Sequence, residues 1–216
     1  MFSDDPRLEA MSKSITSFLS HNLDKIGSSE PVVVFLHGYG ADEADLPEII
    51  SRLPNQAWVS PRAPLSNGGG GFEWYQLTME NYTPAPEIAV ATEKLWNWID
   101  QVIPAQNPII PIGFSQGALM ATQLLRTRPQ RISRAIIMAG FINPIELEAD
   151  VDCQRLKPKV LYCRGEEDNR ISEAAVTRIT SWLQAHTSLQ MKSYPGLGHS
   201  VDQRVINDVS NFLLAK

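Results

Sequence analysis

The sequence predicts an α/β fold in which a mostly parallel central sheet carries helices on both faces. Two observations predict it. Short apolar runs of strand length alternate along the 216 residues with segments whose apolar positions recur at helical spacing. In addition, Gly113-Phe114-Ser115-Gln116-Gly117 stands where an apolar run ends and a helical segment begins. Alternation of strand and helix is typical of parallel sheets, because a crossover between parallel strands needs a connection as long as a helix.

Six strands and five helices follow from this pattern. The helix at residues 87–103 has the clearest signal, because Ile88, Leu95 and Ile99 share one of its faces. Pro111 lies inside the third strand and removes a backbone donor, so we expect a bulge or one lost hydrogen bond there. The predicted strands are residues 32–36, 57–60, 109–112, 135–138, 160–163 and 189–194, and the predicted helices are residues 45–53, 87–103, 118–128, 172–185 and 201–214.

The N-terminal segment fits two structures. Apolar residues from Leu8 to Ile26 recur at roughly helical spacing, which favours a helix, although a strand at the edge of the sheet also fits. Residues 1–28 are therefore a segment of uncertain structure, within a single domain that we expect to span residues 1–216.

The composition is typical of a globular protein and excludes several function classes. Apolar residues make up 43% of the chain, charged residues make up 20%, and the net charge is −5 at pH 7. No basic stripe indicates a nucleic-acid partner. No apolar run is long enough for a transmembrane segment and no secretory signal is visible, so we predict a cytoplasmic protein. Cys153 and Cys163 lack the spacing of a redox or metal motif, and we expect buried free thiols.

Ser115 has the sequence context of a nucleophile. In a strand-to-helix turn the serine backbone takes a sparsely populated conformation, and glycines on both sides avoid collisions with the strand and the helix. Because glycine and serine are common residues, the five-residue pattern alone is weak evidence for a nucleophile. A histidine and an acid in suitable positions are needed to support it.

A histidine and an acid stand in suitable places. A serine hydroxyl needs an imidazole to accept its proton and a carboxylate to orient that imidazole. His199 lies in a glycine-containing loop between the last predicted strand and helix, and Asp168 follows the strand at residues 160–163. The chain order serine, acid, histidine is the order of the α/β-hydrolase topology. We therefore predict a catalytic triad of Ser115, Asp168 and His199.

Two backbone N–H groups are predicted to stabilise the oxyanion of the tetrahedral intermediate. Gln116 supplies one, because its amide begins the helix after the serine, where N–H groups are unpaired and the helix dipole favours negative charge. Tyr39 supplies the other from the loop His37-Gly38-Tyr39-Gly40, in which glycines let the backbone approach a substrate. We expect His37 to be structural rather than a base.

With these residues assembled, the chain resembles the phospholipase/carboxylesterase family of small α/β-hydrolases, which includes the acyl-protein thioesterases. Six segments carry the resemblance: residues 36–42 for the oxyanion loop, 61–64 and 71–75 for the substrate-side loop, 113–118 for the nucleophile, 165–171 for the acid and 198–200 for the base. The resemblance implies the α/β-hydrolase fold and a serine esterase that forms an acyl-enzyme and needs no metal or other cofactor. It also implies a possible homodimer, since the family often forms dimers.

Four aromatic residues are predicted to line the substrate site: Phe72, Trp74, Tyr75 and Phe141. Packing in the core explains Trp74 and Phe141 equally well. Because no long insertion forms a lid, we expect a shallow, open site that prefers short to medium acyl chains.

The predicted function is therefore that of a serine carboxylesterase. A lysophospholipase or an acyl-protein thioesterase with the same triad is the alternative, with a lipid-like ester as substrate. A non-catalytic binding protein with a hydrolase fold is less well supported, because such a chain usually lacks a triad member and this chain has all three.

Overall fold

A computed structural model describes residues 14–24, 29–50, 55–76 and 86–215, and it contains one large mixed sheet. Its strands are β1 (Phe18–His21), β2 (Val32–Leu36), β3 (Trp58–Pro61), β6 (Ile109–Phe114), β7 (Arg134–Met138), β8 (Lys159–Gly165) and β9 (Ser188–Tyr194), while β4 (Leu65–Ser66) and β5 (Phe72–Glu73) form a separate hairpin. The strand order is β1-β3-β2-β6-β7-β8-β9, and all neighbours are parallel except β1 and β3.

Helices cover both faces of this sheet. They are α1 (Pro86–Val102), α2 (Gln116–Thr127), α3 (Asp150–Leu156), α4 (Glu173–His186) and α5 (Gln203–Leu214). One apolar cluster packs α1 to α4 against one face, and a second packs α5 against the other. Alternate residues of β2 enter the two clusters, and all five are buried, which explains why this strand is a continuous apolar run. The predicted α/β-hydrolase fold, with its mostly parallel sheet, is confirmed.

The predicted helix at residues 45–53 is wrong in its described part. A short 3₁₀ turn, Pro47–Ile50, stands there, and residues 51–54 lie outside the described residues. Asp42, Asp45 and Leu46 are in a turn before it, where the Asp45 N–H donates to the Asp42 carbonyl. The proline begins the 3₁₀ turn, as its missing donor and restricted φ favour.

The helix favoured for the N-terminal segment is also wrong where the structure describes it. Residues Phe18–His21 form an edge strand that pairs antiparallel with β3, and the Arg62 N–H donates to the Ser17 carbonyl at 2.9 Å. Pairing with this strand satisfies the backbone N–H and C=O groups along the edge of β3. Because the two strands are distant in the chain, the spacing of apolar residues does not predict the pairing. Residues 1–13 and 25–28, which complete that prediction, lie outside the described residues.

Pro111 lies at the irregularity predicted for the third strand. Ile109 bridges to Ile132 and Ile112 pairs with Ile136, so a step of three residues on β6 faces a step of four on the neighbouring strand. The extra residue is a bulge on the neighbouring strand, and it lies opposite the part of β6 that contains Pro111, whose nitrogen has no hydrogen to donate. The strand then resumes regular pairing up to Phe114, immediately before Ser115.

Cys153 and Cys163 are buried free thiols, as predicted. Burial raises the pKa of each thiol to about 12, so both stay protonated at neutral pH.

Candidate active site

Ser115 occupies the strained turn that its sequence context predicts. The residue lies between the end of β6 and the start of α2 with φ 52° and ψ −114°, a region that non-glycine residues rarely adopt. Its N–H donates to the Met138 carbonyl at 3.0 Å, which holds the turn against β7. A Cβ at Gly117 would lie 1.9 Å from the Leu36 carbonyl oxygen, and one at Gly113 would lie 2.2 Å from the Gly117 oxygen. Both positions therefore require glycine.

Three side chains from separate loops form a chain of hydrogen bonds. The Ser115 Oγ lies 2.9 Å from His199 Nε2, and His199 Nδ1 lies 2.8 Å from an Asp168 carboxylate oxygen. These three residues are far apart in sequence, and the carboxyl ends of β6 and β8 and the loop after β9 bring them together. The arrangement allows the imidazole to take a proton from the serine hydroxyl while the carboxylate stabilises the imidazolium.

The acid is held by its own loop. Only 1% of the Asp168 side chain is exposed, and its second oxygen accepts the Arg170 N–H at 2.9 Å. The Glu167 N–H donates to the Leu197 carbonyl at 2.9 Å, which ties this loop to the one that carries His199. Glu166 and Glu167, the neighbouring carboxylates, are exposed to solvent. Burial and pairing therefore distinguish Asp168 from its neighbours in a way that the acidic sequence alone does not.

His37 has a structural environment. The Ala63 N–H donates to His37 Nε2 at 3.0 Å, so this nitrogen carries no proton, and Nδ1 donates to the Gly38 carbonyl at 2.8 Å. Burial lowers the pKa of His37, which keeps the ring neutral at physiological pH. These bonds join the start of the loop after β2 to the segment after β3 and agree with the expected structural role.

The two predicted oxyanion donors lie at the same edge of the sheet. Gln116 is the first residue of α2, and Tyr39 lies in the loop that follows β2. In the described part of the chain, neither amide N–H donates a backbone hydrogen bond, whereas Gly40 N–H and Ala41 N–H both do. Two N–H groups without backbone acceptors are what an oxyanion site requires, and their role stays a prediction.

The four predicted substrate-site aromatics differ in exposure. The exposed fractions of Trp74, Tyr75 and Phe141 are 2%, 1% and 7%, so most of each ring packs in the core. Phe72 is half-buried, and the Arg62 guanidinium lies 4.5 Å from its ring centre. Of the four, Phe72 offers the most surface to a substrate, and a lining role for the others stays a prediction.

Two groups that sequence reasoning missed stabilise the walls of the site. The Glu43 carboxylate accepts from Arg62 Nε at 2.5 Å and from Ser17 Oγ at 2.9 Å. Burial of Glu43 raises its pKa, but the hydrogen bonds outweigh burial and the net pKa is lowered. The second group is the side chain of Gln116, which bonds the backbone of Trp74 and Tyr75. Neither carries a local sequence signal, because the contacts join residues distant in the chain.

No metal cluster accompanies this arrangement in residues 14–24, 29–50, 55–76 and 86–215, where no three His, Cys, Asp or Glu side chains lie close enough to bind an ion. The absence of a metal or other cofactor from the reaction stays a prediction. Over the same residues no helix combines the length and apolarity needed to cross a membrane.

Comparison with known families agrees with the geometry of the site. The family model described as Phospholipase/Carboxylesterase matches residues 23–216, which is most of the chain. The chain belongs to this family. Membership makes it a hydrolase of esters with a serine nucleophile, and the predicted resemblance is confirmed.

Individual relatives are distant but match over nearly their full length. The chain is 24% identical over 202 residues to carboxylesterase SOBER1 of Arabidopsis thaliana, covering 84% of this chain and 88% of the relative. It is 23% identical over 212 residues to lysophospholipase-like protein 1 of Mus musculus, covering 88% of each. Among solved structures, esterase PE8 is 25% identical with a TM-score of 0.71, over 93% of this chain and 97% of that chain.

Proposed function

We propose that this protein is a serine carboxylesterase that hydrolyses carboxylic esters of short to medium acyl chains through an acyl-enzyme. The observation that carries the proposal is the continuous chain of hydrogen bonds from Ser115 Oγ through His199 to Asp168, at 2.9 and 2.8 Å. The reaction has two halves, acylation and hydrolysis, in which the same imidazole moves each proton.

In acylation, Ser115 Oγ attacks the ester carbonyl carbon while its proton passes to His199 Nε2. The carbonyl oxygen becomes an oxyanion, and the amides of Tyr39 and Gln116 donate to it. The tetrahedral intermediate collapses when His199 gives the proton to the departing alcohol oxygen. Asp168 keeps the proton of the neutral ring on Nδ1 and stabilises the imidazolium between these transfers.

In hydrolysis, a water molecule attacks the acyl carbon and gives a proton to His199. The second intermediate expels Ser115 Oγ, which takes that proton back, and the carboxylic acid leaves. No step requires a redox or metal cofactor. The neutral His199 ring is the form that accepts the serine proton.

The walls of the site limit the size of the acyl group that it can hold. Trp74, Tyr75 and Phe141 are packed in the core, and only Phe72 is half-buried. Such walls favour a shallow site, and a shallow site gains little from the end of a long acyl chain. A lysophospholipase or an acyl-protein thioesterase with the same triad is the second candidate, and the name of the mouse relative supports the lysophospholipase activity.

The test is hydrolysis of p-nitrophenyl esters from short to long acyl chains by the native protein and by Ser115→Ala. We expect kcat/KM to be highest for short to medium chains and to fall by at least about 10³ in the variant, which retains only binding and the oxyanion donors. A thioester and a lysophospholipid are measured alongside.

Three results would contradict the proposal. Equal activity in Ser115→Ala would remove the serine mechanism, and a maximum at long acyl chains would remove the shallow site. Activity confined to the thioester or the lysophospholipid would favour the second candidate. Native circular dichroism of the variant is the control for folding. A cytoplasmic location, a homodimer and a single domain over residues 1–216 stay predictions.

A further inference from the structure

The side chain of Gln116 joins two parts of the site. It is 1% exposed, although the backbone of the same residue begins α2 beside Ser115. Its Oε1 accepts the Trp74 N–H at 2.9 Å, and its Nε2 donates to the Tyr75 carbonyl at 2.8 Å. One carboxamide therefore pairs with the N–H of one residue and the carbonyl of the next in a segment that lies more than 40 residues away in sequence.

The segment that Gln116 binds also holds the loop after β2. The Gly40 N–H donates to the Phe72 carbonyl at 2.9 Å, and the Phe72 N–H donates to the Ala41 carbonyl at 3.0 Å. The indole N–H of Trp74 donates to the His37 carbonyl at 2.9 Å. These three bonds flank Tyr39 on both sides and leave its N–H group without a backbone acceptor in the described chain.

Residues 72–75 are thus hydrogen-bonded to both segments that carry the predicted oxyanion donors. A Cβ at Gly71 would lie 1.9 Å from the Gly40 carbonyl oxygen, so the hairpin and the loop pack without space between them. Movement of residues 72–75 relative to α2 would therefore move the Tyr39 N–H relative to the Gln116 N–H.

We propose that the Gln116 side chain is a positioning residue that sets the distance between the two oxyanion donors by clamping residues 72–75. The proposal rests on the function proposed above. Stabilisation of an oxyanion depends steeply on the placement of its donors, and a displacement of about 1 Å reduces rate by about 10². A carboxamide suits the position because it accepts one hydrogen bond and donates another while uncharged.

This role couples the substrate-side wall to the chemical step. If residues 72–75 were only a surface for the acyl group, loss of the clamp would raise KM. Because they also hold the Tyr39 amide, loss of the clamp should lower kcat and leave KM nearly unchanged.

The test uses Gln116→Glu, because a glutamic acid matches the carboxamide only while it is protonated. The neutral acid accepts from Trp74 N–H and donates to the Tyr75 carbonyl, whereas the carboxylate cannot donate and repels that carbonyl. Burial raises the pKa of a carboxyl group, so this residue should ionise within the range in which the native enzyme is active. We expect the ratio of native to variant kcat to be below about tenfold at low pH and to grow to about 10² as the carboxyl ionises.

Gln123→Glu is the matched control. Gln123 lies two turns further along α2, is 2% exposed and takes no part in the site. It reports the cost of a buried carboxyl on the same helix, and its ratio of native to variant kcat should not change with pH in the folded protein. Gln116→Leu removes both hydrogen bonds and adds no charge. We expect its kcat to fall by about 10² at every pH while KM changes by less than about threefold.

A pH-independent ratio in Gln116→Glu, or a native kcat in Gln116→Leu, would overturn the proposal. A rise in KM without a fall in kcat would overturn it as well, in favour of a simple substrate wall. If circular dichroism shows that Gln116→Glu does not fold, Gln116→Leu decides. A native protein without ester activity would overturn the proposed function and this inference with it, whereas an active native protein with native-like Gln116 variants would overturn only the inference.

Discussion

Two histidines of the site carry their proton on the same nitrogen for different reasons. The Asp168 carboxylate lies 2.8 Å from His199 Nδ1, which orients the ring so that Nε2 accepts from Ser115. In His37, Nε2 accepts a hydrogen bond from the Ala63 N–H, and the Nδ1–H donates one to the Gly38 carbonyl. The first ring has a reactive nitrogen beside a hydroxyl, and the second has both nitrogens bonded to the backbone. Environment, rather than residue type, separates a candidate base from a structural histidine.

Asp168→Asn tests the orientation of His199. An amide donates where the carboxylate accepted, so the ring turns to the tautomer that has its proton on Nε2 and cannot accept from Ser115. We expect kcat on a short p-nitrophenyl ester to fall by about 10⁴ with little change in KM. Glu167→Gln, which changes the exposed neighbouring carboxylate, should keep native activity. A loss of less than tenfold in Asp168→Asn would exclude Asp168 as the acid.

At the scale of elements, the turn between β6 and α2 depends on close backbone contact. Gly117 lies against the end of β2, and Gly113 lies against the first turn of α2. The bulge opposite Pro111 ends before this point, so the strand is regular where it delivers Ser115. Positions of this kind explain why the glycines of the serine motif occur where a strand passes directly into a helix.

Gly117→Ala tests this packing. The added methyl would lie 1.9 Å from a backbone oxygen, so β2 and α2 must separate. We expect the free energy of unfolding to fall by at least about 3 kcal/mol, measured by urea denaturation, and reactivity with a fluorophosphonate to be lost. Gly69→Ala is the comparison, because the nearest atom to its added methyl is 3.6 Å away, and it should change stability by less than about 0.5 kcal/mol. Equal stability of the two variants would show that the turn tolerates a side chain.

The spacing of apolar residues predicted those strands and helices whose own apolar side chains are buried in the core. The strands at 32–36 and 160–163 and the helix at 87–103 have apolar patterns that match the faces they bury, and the structure differs from those predictions by a few residues at most. The edge strand Phe18–His21 has no such pattern, because all four of its side chains are exposed and its backbone pairing with β3 forms it. The hairpin of β4 and β5 is likewise defined by pairing and by contacts with the loop after β2.

At the scale of the whole molecule, a buried ion pair ties α2 to the segment after β7. The Arg126 guanidinium bonds the Asp150 carboxylate at 2.9 and 2.6 Å and donates to the carbonyls of Asn143 and Ile145. Only 2% of the Arg126 side chain is exposed. Arg126 lies eleven residues beyond Ser115 along α2, about 16 Å at 1.5 Å per residue, so the pair is remote from the chemistry.

Asp150→Ala should destabilise the protein without affecting catalysis in the folded state. Removal of the carboxylate leaves a buried guanidinium without its counter-ion, and we expect a loss of about 3–5 kcal/mol in the free energy of unfolding. Asp100→Ala breaks a pair with Arg128, in which both side chains are about two-fifths exposed, and a longer pair with Arg131 at 3.6 Å, and it should lose at most about 1 kcal/mol. Chemical denaturation gives both values. A similar loss in the two variants would show that burial does not increase the importance of the Arg126 pair.

The sequence by itself determined the α/β class and the family, and it predicted Ser115, Asp168 and His199 as the nucleophile, acid and base. Those conclusions rest on patterns within short segments: apolar period, glycines beside a serine, and loops that follow strands. Tertiary structure decided that Asp168 rather than Glu166 or Glu167 meets His199, that Phe18–His21 is a strand, and that the Gln116 side chain joins the start of α2 to residues 74 and 75. The physical reason is that hydrogen bonds and burial between distant residues depend on how the elements pack, which no local period encodes.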